Sequence, residues 1–365
     1  MIKFVPNANC IRDFFYLYTM RNLIYLMLTA GLLACQPKEE TKNNENETIT
    51  EVDNTKAKAT VNEEDSALSR LNEKIRADIN NKDLYLARAE YYLEKQSTKE
   101  AMEDINRAFR IDTNYMPTLL KQADFLTKSG KLELSLAVID KADNIYPKNS
   151  TIQVAYSQLY LVARNNEKSL SYADLAIKYD MYNAVAYYLK GFNFLEIGDT
   201  TKAISSYQTA VEQDPEYFEA YLELGLIFSQ KNDPMALEYF NNALEIQPSE
   251  RRALYSKGMY EQEHEMYNEA MESYTIAIKS NPDFREAHYN LGYIHLFYLT
   301  LYRQSQQYFT DAIEVDPRYK EAYYNRGYAF EMLGDINNAA KDYRKALEID
   351  PSYDYAAKGL SRLNN

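Results

Sequence analysis

Residues Glu321–Pro351 read EAYYNRGYAFEMLGDINNAAKDYRKALEIDP. Three small residues mark this stretch, Gly327, Ala339 and Ala346, with an aromatic residue at Tyr343 and a proline at its end. Proline cannot continue a helix, so Pro351 closes the segment before it. The same marks recur upstream at a nearly fixed interval. Ala346 continues backwards as Ala312, Ala277, Ala243, Ala210, Ala176, Ala142 and Ala108, in steps of 33 to 35 residues. A second column stands seven residues earlier: Ala101, Ser135, Ser169, Ala203, Ala236, Ala270, Ser305 and Ala339. A third lies near the start of each unit: Ala89, Ala123, Ser157, Gly191, Gly225, Gly258, Gly292 and Gly327.

All 24 positions are Ala, Gly or Ser. Small side chains where two antiparallel helices cross let the backbones approach, and large neighbours then fill the gaps. Those neighbours are Tyr207, Phe240, Tyr274, Phe309 and Tyr343, with Ile105 and Ile139 in the early units. Between units a proline recurs at 147, 215, 248, 282, 317 and 351, replaced by Thr113 and Met181 at two joints.

The unit Glu321–Pro351 resembles a tetratricopeptide repeat (TPR) almost throughout, and the resemblance covers residues 82–353. It implies an all-α fold, a right-handed α-solenoid (the TPR superhelix) of about eight helix-pair repeats. Residues 64–81 are expected to form an N-terminal capping helix, with Ala67, Leu68, Leu71, Ile75 and Ile79 on one face and Asn62 and Asp65 as a capping box. Residues 354–365 are expected to form a C-terminal capping helix, with Ala356, Leu360 and Leu363 inward and Lys358 and Arg362 outward. One residue is lost near Asp233-Pro234 and one gained near Leu299–Tyr302; both changes are expected in the turn within a pair, where they cost least.

The N-terminus follows a different logic. Residues Leu23–Leu33 (LIYLMLTAGLL) carry no charge, follow Met20-Arg21-Asn22 and precede Ala34-Cys35. A positive start, a short apolar run and a small residue make residues 1–34 a secretory signal peptide, with Met20 an alternative start. The run is shorter than the ~20 residues that cross a bilayer. Leu32-Leu33-Ala34-Cys35 resembles a bacterial lipobox, which implies a lipidated Cys35 anchored in the bacterial cell envelope as an outer-membrane lipoprotein, facing the periplasm or the cell surface. The competing reading is an uncleaved anchor from Phe14 to Ala34, which would bury Arg21 in the membrane at a cost of a few kcal/mol. The polar segment 36–63 contains no aromatic residue, so residues 35–63 are expected to be a lipidated cysteine and a disordered tether.

Composition excludes several functions. The net charge of −13 disfavours nucleic acid as a partner. Cys10 and Cys35 are the two cysteines, so neither a disulfide framework nor a cysteine zinc site is available to the repeats. His288 and His295 stand two helical turns apart, too far to chelate one metal. His295 is expected in the core, paired with Glu261. Gly130-Lys131 is followed by Leu132 rather than Ser or Thr, so no phosphate loop is present. No nucleophile–base constellation is found, and the expectation is a chain with no catalytic site, no metal and no cofactor. The Lys/Asn/Arg carboxylate clamp of co-chaperone TPRs is missing from the matching positions. Of the asparagine column of sugar-transferase TPRs, Asn290 and Asn325 alone are present.

What remains is the inner face of the first helices. One inward column runs Glu90, Asp124, Gln158, Phe192, Leu226, Met259, Tyr293, Tyr328, changing from polar to apolar along the chain. A neighbouring column adds Tyr188, Tyr255, Tyr289 and Tyr324. Inward acids are Asp83, Glu90, Glu94, Asp124, Glu196, Glu219, Glu223, Glu263, Glu286, Glu321 and Glu331, against Lys121, Lys128 and Arg252. An apolar strip with acidic margins suits a protein partner whose segment is basic and carries apolar anchors. The sequence therefore reads as a non-catalytic, membrane-anchored scaffold or adaptor. The alternatives are a self-associating structural lipoprotein or an assembly factor for an outer-membrane complex, and the sequence leaves the oligomeric state open.

Overall fold

The computed structural model describes residues 67–363, in which helices alternate with short turns and no strand occurs. The expected signal peptide, Cys35, the tether, the capping box at Asn62 and Asp65, and the last two residues of the C-terminal cap lie outside the described residues. Helix α1 spans residues 67–77. Eight helix pairs follow: α2 Lys82–Glu94 with α3 Thr98–Ile111, α4 Met116–Lys128 with α5 Leu132–Ile145, α6 Ser150–Val162 with α7 Asn166–Tyr179, and α8 Ala184–Glu196 with α9 Thr200–Gln213. The later pairs are α10 Phe218–Gln230 with α11 Met235–Ile246, α12 Arg251–Glu263 with α13 Tyr267–Ser280, α14 Arg285–Tyr293 with α15 Tyr302–Val315, and α16 Lys320–Met332 with α17 Ile336–Ile349. Helix α18, Asp354–Leu363, closes the described chain. The fold is an all-α, α-solenoid arrangement of helix pairs.

The chain divides into two compact units, one ending at Ala203 and the other starting at Ile204, within α9. The helices from α2 to α8 in the first unit, and from α10 to α18 in the second, each pack on the next one along the chain. All 24 small positions are buried. In the second unit a Cβ added to Gly225 would lie 2.6 Å from the ring of Phe240, and one added to Gly258 would lie 2.7 Å from the ring of Tyr274. Both rings are fully buried. In the first unit Ala89 packs with Ile105, and Ala123 with Ile139.

The turn inside each pair is one device used eight times. The first helix ends on a residue with positive φ: Gln96, Gly130, Arg164, Gly198, Asn232, Glu265, Thr300 and Gly334, with φ between 53° and 84°. In seven turns the next N–H donates to the carbonyl five residues back at 2.8–2.9 Å, the bond of a Schellman cap. Between pairs, the carboxylates of Asp112, Asp180, Asp214, Asp316 and Asp350 accept the N–H two residues on at 2.9–3.0 Å, forming Asx turns.

Both length changes fall elsewhere than the turns. The lost residue comes out of the first turn of α11, which has 12 residues where the other second helices have 14; the turn at Lys231–Asp233 is intact. The gained residue widens the end of α14 into a π-helix, Ile294–Tyr298. Leu299 N–H donates to Ile294 O at 3.1 Å, an i→i+5 bond. The Schellman bond then runs from Leu301 N–H to His295 O at 2.7 Å, one residue further back than its counterparts.

The caps differ in part from expectation. In α1, Ile75 is buried and Leu68 and Leu71 are half-buried, but Ala67 is exposed and Ile79 lies past the helix end, 56% exposed. Ala356 is buried and Lys358 exposed, as the periodicity predicts. Arg362 does not simply point outward: it makes two 2.9 Å bonds to the Glu331 carboxylate.

Thr300 carries φ 53°, a left-handed conformation that a β-branched residue adopts at a cost. Thr300→Gly is expected to stabilise the protein by about 1 kcal/mol, seen as a higher urea midpoint. An unchanged or lower midpoint would mean that the turn carries no such strain.

Candidate functional site: the aromatic face of the second unit

The sequence assigned thirteen residues besides Cys35 to an inner face. Tyr188 and Phe192, on α8 of the first unit, are half-buried. In the second unit Tyr255, Tyr289, Tyr293, Tyr324 and Tyr328 are half-buried as well. Leu226 and Met259 are 4% and 6% exposed, so they belong to the packing beneath the face rather than to its surface. Met259 Sδ accepts from Asn290 Nδ2 at 3.2 Å. Glu223 is buried too and accepts from Arg252 at 3.1 Å. Glu219 is exposed, and Glu286 and Glu321 are half-buried.

The tyrosines are held in place from below. Asn325 Nδ2 donates to Tyr289 OH at 2.9 Å, and Asn290 Nδ2 reaches Tyr255 OH at 3.5 Å. Each asparagine thus fixes a tyrosine of the preceding pair. Burial pushes the Tyr289, Tyr293 and Tyr324 hydroxyls above the usual phenol range, so they act as neutral hydrogen-bonding groups. Rings continue across the pairs: Tyr289 lies 6.3 Å from Tyr293, Tyr293 4.5 Å from Phe297, and Phe297 stacks on Tyr328 at 5.8 Å and 16°.

Three aromatic members were missed from the sequence: Phe297, Tyr298 and Tyr267. Tyr298 stacks on Tyr267 at 4.1 Å and meets Tyr293 edge-on at 6.0 Å. Phe297 lies four residues after Tyr293, in the inward register of Glu196 and Glu263, so its column was readable. Tyr298 enters because of the π-helix, for which the extra residue was the one signal, whereas Tyr267 opens a second helix, outside the inward columns of the first helices.

The acidic margin is smaller than the sequence implied. Six of the eleven inward acids hold ion pairs: Glu90 with Lys121, Asp124 with Lys128, Glu223 with Arg252, Glu286 with Arg285, Glu321 with Lys320 and Glu331 with Arg362. Asp83 accepts from Tyr115 OH at 2.6 Å. Glu219 and Glu263 hold no ion pair in the second unit.

The histidines also resolve. His295 Nδ1 contacts Leu291 O at 2.8 Å and its ring packs on Tyr308, so the expected pairing with Glu261 does not form. Glu261, 3% exposed, instead accepts from Ser273 Oγ at 2.7 Å with Lys257 at 3.7 Å. His288 Nε2 contacts Pro282 O at 2.9 Å. Among the described residues no group of three His, Cys, Asp or Glu side chains is placed to hold a metal ion.

Profiles described as tetratricopeptide repeat match residues 83–115, 255–296, 286–319 and 321–353, and one described as TPR repeat matches 191–232. These segments are tetratricopeptide repeats. The chain is 27% identical over 148 residues to BBSome complex member BBS4 of Bos taurus, covering 40% of this chain and 28% of that protein. It is 30% identical over 101 residues to Protein O-mannosyl-transferase TMTC1 of Homo sapiens, covering 26% of this chain and 12% of that protein. The matches therefore take up less than a third of either relative. Among solved structures, the C-terminal part of a TPR repeat-containing protein from Cytophaga hutchinsonii aligns at TM-score 0.56 and 18% identity, over 66% of this chain and 99% of that one. The APC/C hetero-tetramer Cut9-Hcn1 aligns at TM-score 0.52 and 16% identity, over 82% of this chain and 59% of that one. At these identities the structures establish the fold.

Burial holds the Glu261 carboxyl above its usual range, against the hydrogen bond from Ser273 and the nearby Lys257. An acid raised in the folded state costs stability once it must ionise. That cost is absent below about pH 4 and grows as pH rises through the ordinary glutamate range. Glu261→Gln keeps an acceptor for Ser273, so it is expected to raise the urea midpoint at neutral pH and leave it unchanged near pH 4. A lower midpoint at neutral pH would show the ionised carboxylate to be favourable there.

Proposed function

We propose that the aromatic face of the second unit seats a segment of a partner protein, and that the chain is a non-catalytic scaffold or adaptor. The observation that carries this reading is the run Tyr289, Tyr293, Phe297, Tyr328: half-buried rings, with Tyr289 held by Asn325 and the others by neighbouring rings, that still present surface. Aromatic side chains held rigid in this way are typical anchors of protein interfaces, since little side-chain entropy is lost on binding. TPR folds generally serve as protein-interaction scaffolds. Two relatives bear names of complex members, BBSome complex member BBS4 and Superkiller complex protein 3, which supports an assembly role. The favoured partner segment carries apolar anchors, with basic residues facing the acids that remain without ion pairs.

The reading includes an anchor. The apolar run before Leu32-Leu33-Ala34-Cys35 supports a lipidated Cys35 that places the repeats in the bacterial envelope, as an outer-membrane lipoprotein. Cys35→Ser is expected to leave the precursor unprocessed or free of the membrane, and an unmodified Cys35 within an intact N-terminus by mass spectrometry would refute the anchor. For the groove, Tyr293→Ala with Tyr328→Ala is expected to weaken a partner captured from envelope extract by more than about 1 kcal/mol, with helicity by circular dichroism unchanged. Undiminished affinity in the double variant would remove the aromatic face as the binding site.

A further inference from the structure

The extra residue in the seventh pair changes what its first helix presents. In a regular α-helix, residues five apart point about 140° away from each other. The π-helix, closed by the i→i+5 bond from Leu299 to Ile294, brings such residues onto one side. Tyr293 accordingly meets both Phe297, four residues on, and Tyr298, five residues on. Tyr267 from α13 joins them, stacked on Tyr298 at 4.1 Å. Tyr298 and Tyr293 stand at 62°, so the rings form a corner rather than a flat stack, and Tyr298 remains 41% exposed. π-Turns of this kind are frequent at functional sites.

The charge around the corner is one-sided. Glu265, exposed in the turn two residues before Tyr267, acts electrostatically on both the Tyr267 and Tyr298 hydroxyls. Among the described residues it holds no ion pair. The basic residues of the neighbouring first helices are taken: Arg252, Lys257, Arg285, Lys320 and Arg326 hold ion pairs, and Arg251 lies over the ring of Phe284 at 4.8 Å.

The next pair shows the same parts already filled. Tyr328 occupies the column of Tyr293, and the Arg362 guanidinium lies over its ring at 5.7 Å while bonded twice to Glu331 at 2.9 Å. There the chain's own last helix supplies a cation between an aromatic ring and a carboxylate. At the seventh pair the rings and the carboxylate are present, and among the described residues no lysine or arginine lies over the rings of Tyr267, Tyr293 or Tyr298.

We infer that the corner of Tyr267, Tyr293 and Tyr298, bordered by Glu265, receives a cationic side chain, arginine or lysine, of the partner segment. This rests on the reading that the aromatic face seats such a segment, and it adds which residue of the partner is recognised and where. Rings and carboxylate act together: the ring faces attract the cation through their quadrupoles and the acid neutralises it.

The test uses the full chain and a library of random peptides displayed on phage. Peptides enriched on the wild type are expected to carry arginine or lysine beside an apolar residue. Replacing that cation by norleucine should cost roughly tenfold in affinity. The cost should shrink in Tyr298→Ala and in Glu265→Gln, the second of which leaves every ring in place. Enriched peptides without a cation, or a norleucine cost that is the same in both variants as in the wild type, would overturn the corner while leaving the aromatic face standing. Enrichment no greater on the wild type than on the Tyr293→Ala, Tyr328→Ala double variant would overturn the face itself, and the corner with it.

Discussion

The contact on which the rest depends, in seven of the eight pairs, is between a small residue on the first helix and a large one on the second; the third pair carries Ala173 in the large residue's place. The two sizes vary together. Where the first helix offers alanine, at Ala89 and Ala123, the second brings isoleucine, Ile105 and Ile139. Where it offers glycine, at Gly225, Gly258, Gly292 and Gly327, the second brings a full ring, and an added Cβ would come within 3.0 Å of it. Interiors pack at near-crystalline density, so each pairing sets how close two backbones can stand. The later pairs use the aromatic form, which places large planar groups inside and leaves the first helices to carry tyrosines on the other side.

From that packing follows a face that is rigid before anything binds. Tyr255 and Tyr289 are each engaged by an asparagine of the next pair, and Tyr289 also packs against Phe309 and Tyr319. The π-helix adds Tyr298 without disturbing the second helix, because α15 keeps 14 residues and Ser305 and Ala312 stay buried. An extra residue placed in a loop would have left the helix surface unchanged. Placed in the helix, it turns the Tyr298 ring toward Tyr293 beside Phe297.

Much of the fold was legible because it obeys a period. The small columns, the aromatic column and the prolines fix eight pairs, and every small position is buried. Features that depend on a neighbouring pair were not legible. Leu226 and Met259 share a column with Tyr293 yet are buried, and Glu223 and Glu331 look like free margin charges until Arg252 and Arg362 are seen to meet them. Sequence register says which way a side chain leaves its helix; it does not say what the next helix sends to meet it. The extra residue was countable, but the choice between loop and helix rested on a single backbone bond, Leu299 to Ile294. Tyr267 starts a second helix, so the inward columns of the first helices do not contain it.

A partner seated on the aromatic face must lie within reach of position 293 during binding. Photo-crosslinking from p-benzoylphenylalanine at Tyr293, with exposed Thr275 on α13 as the comparison position, measures this directly in living cells. A discrete protein adduct from position 293 and none from position 275 is the expected result. Adducts from position 275 alone would contradict a partner bound on the aromatic face.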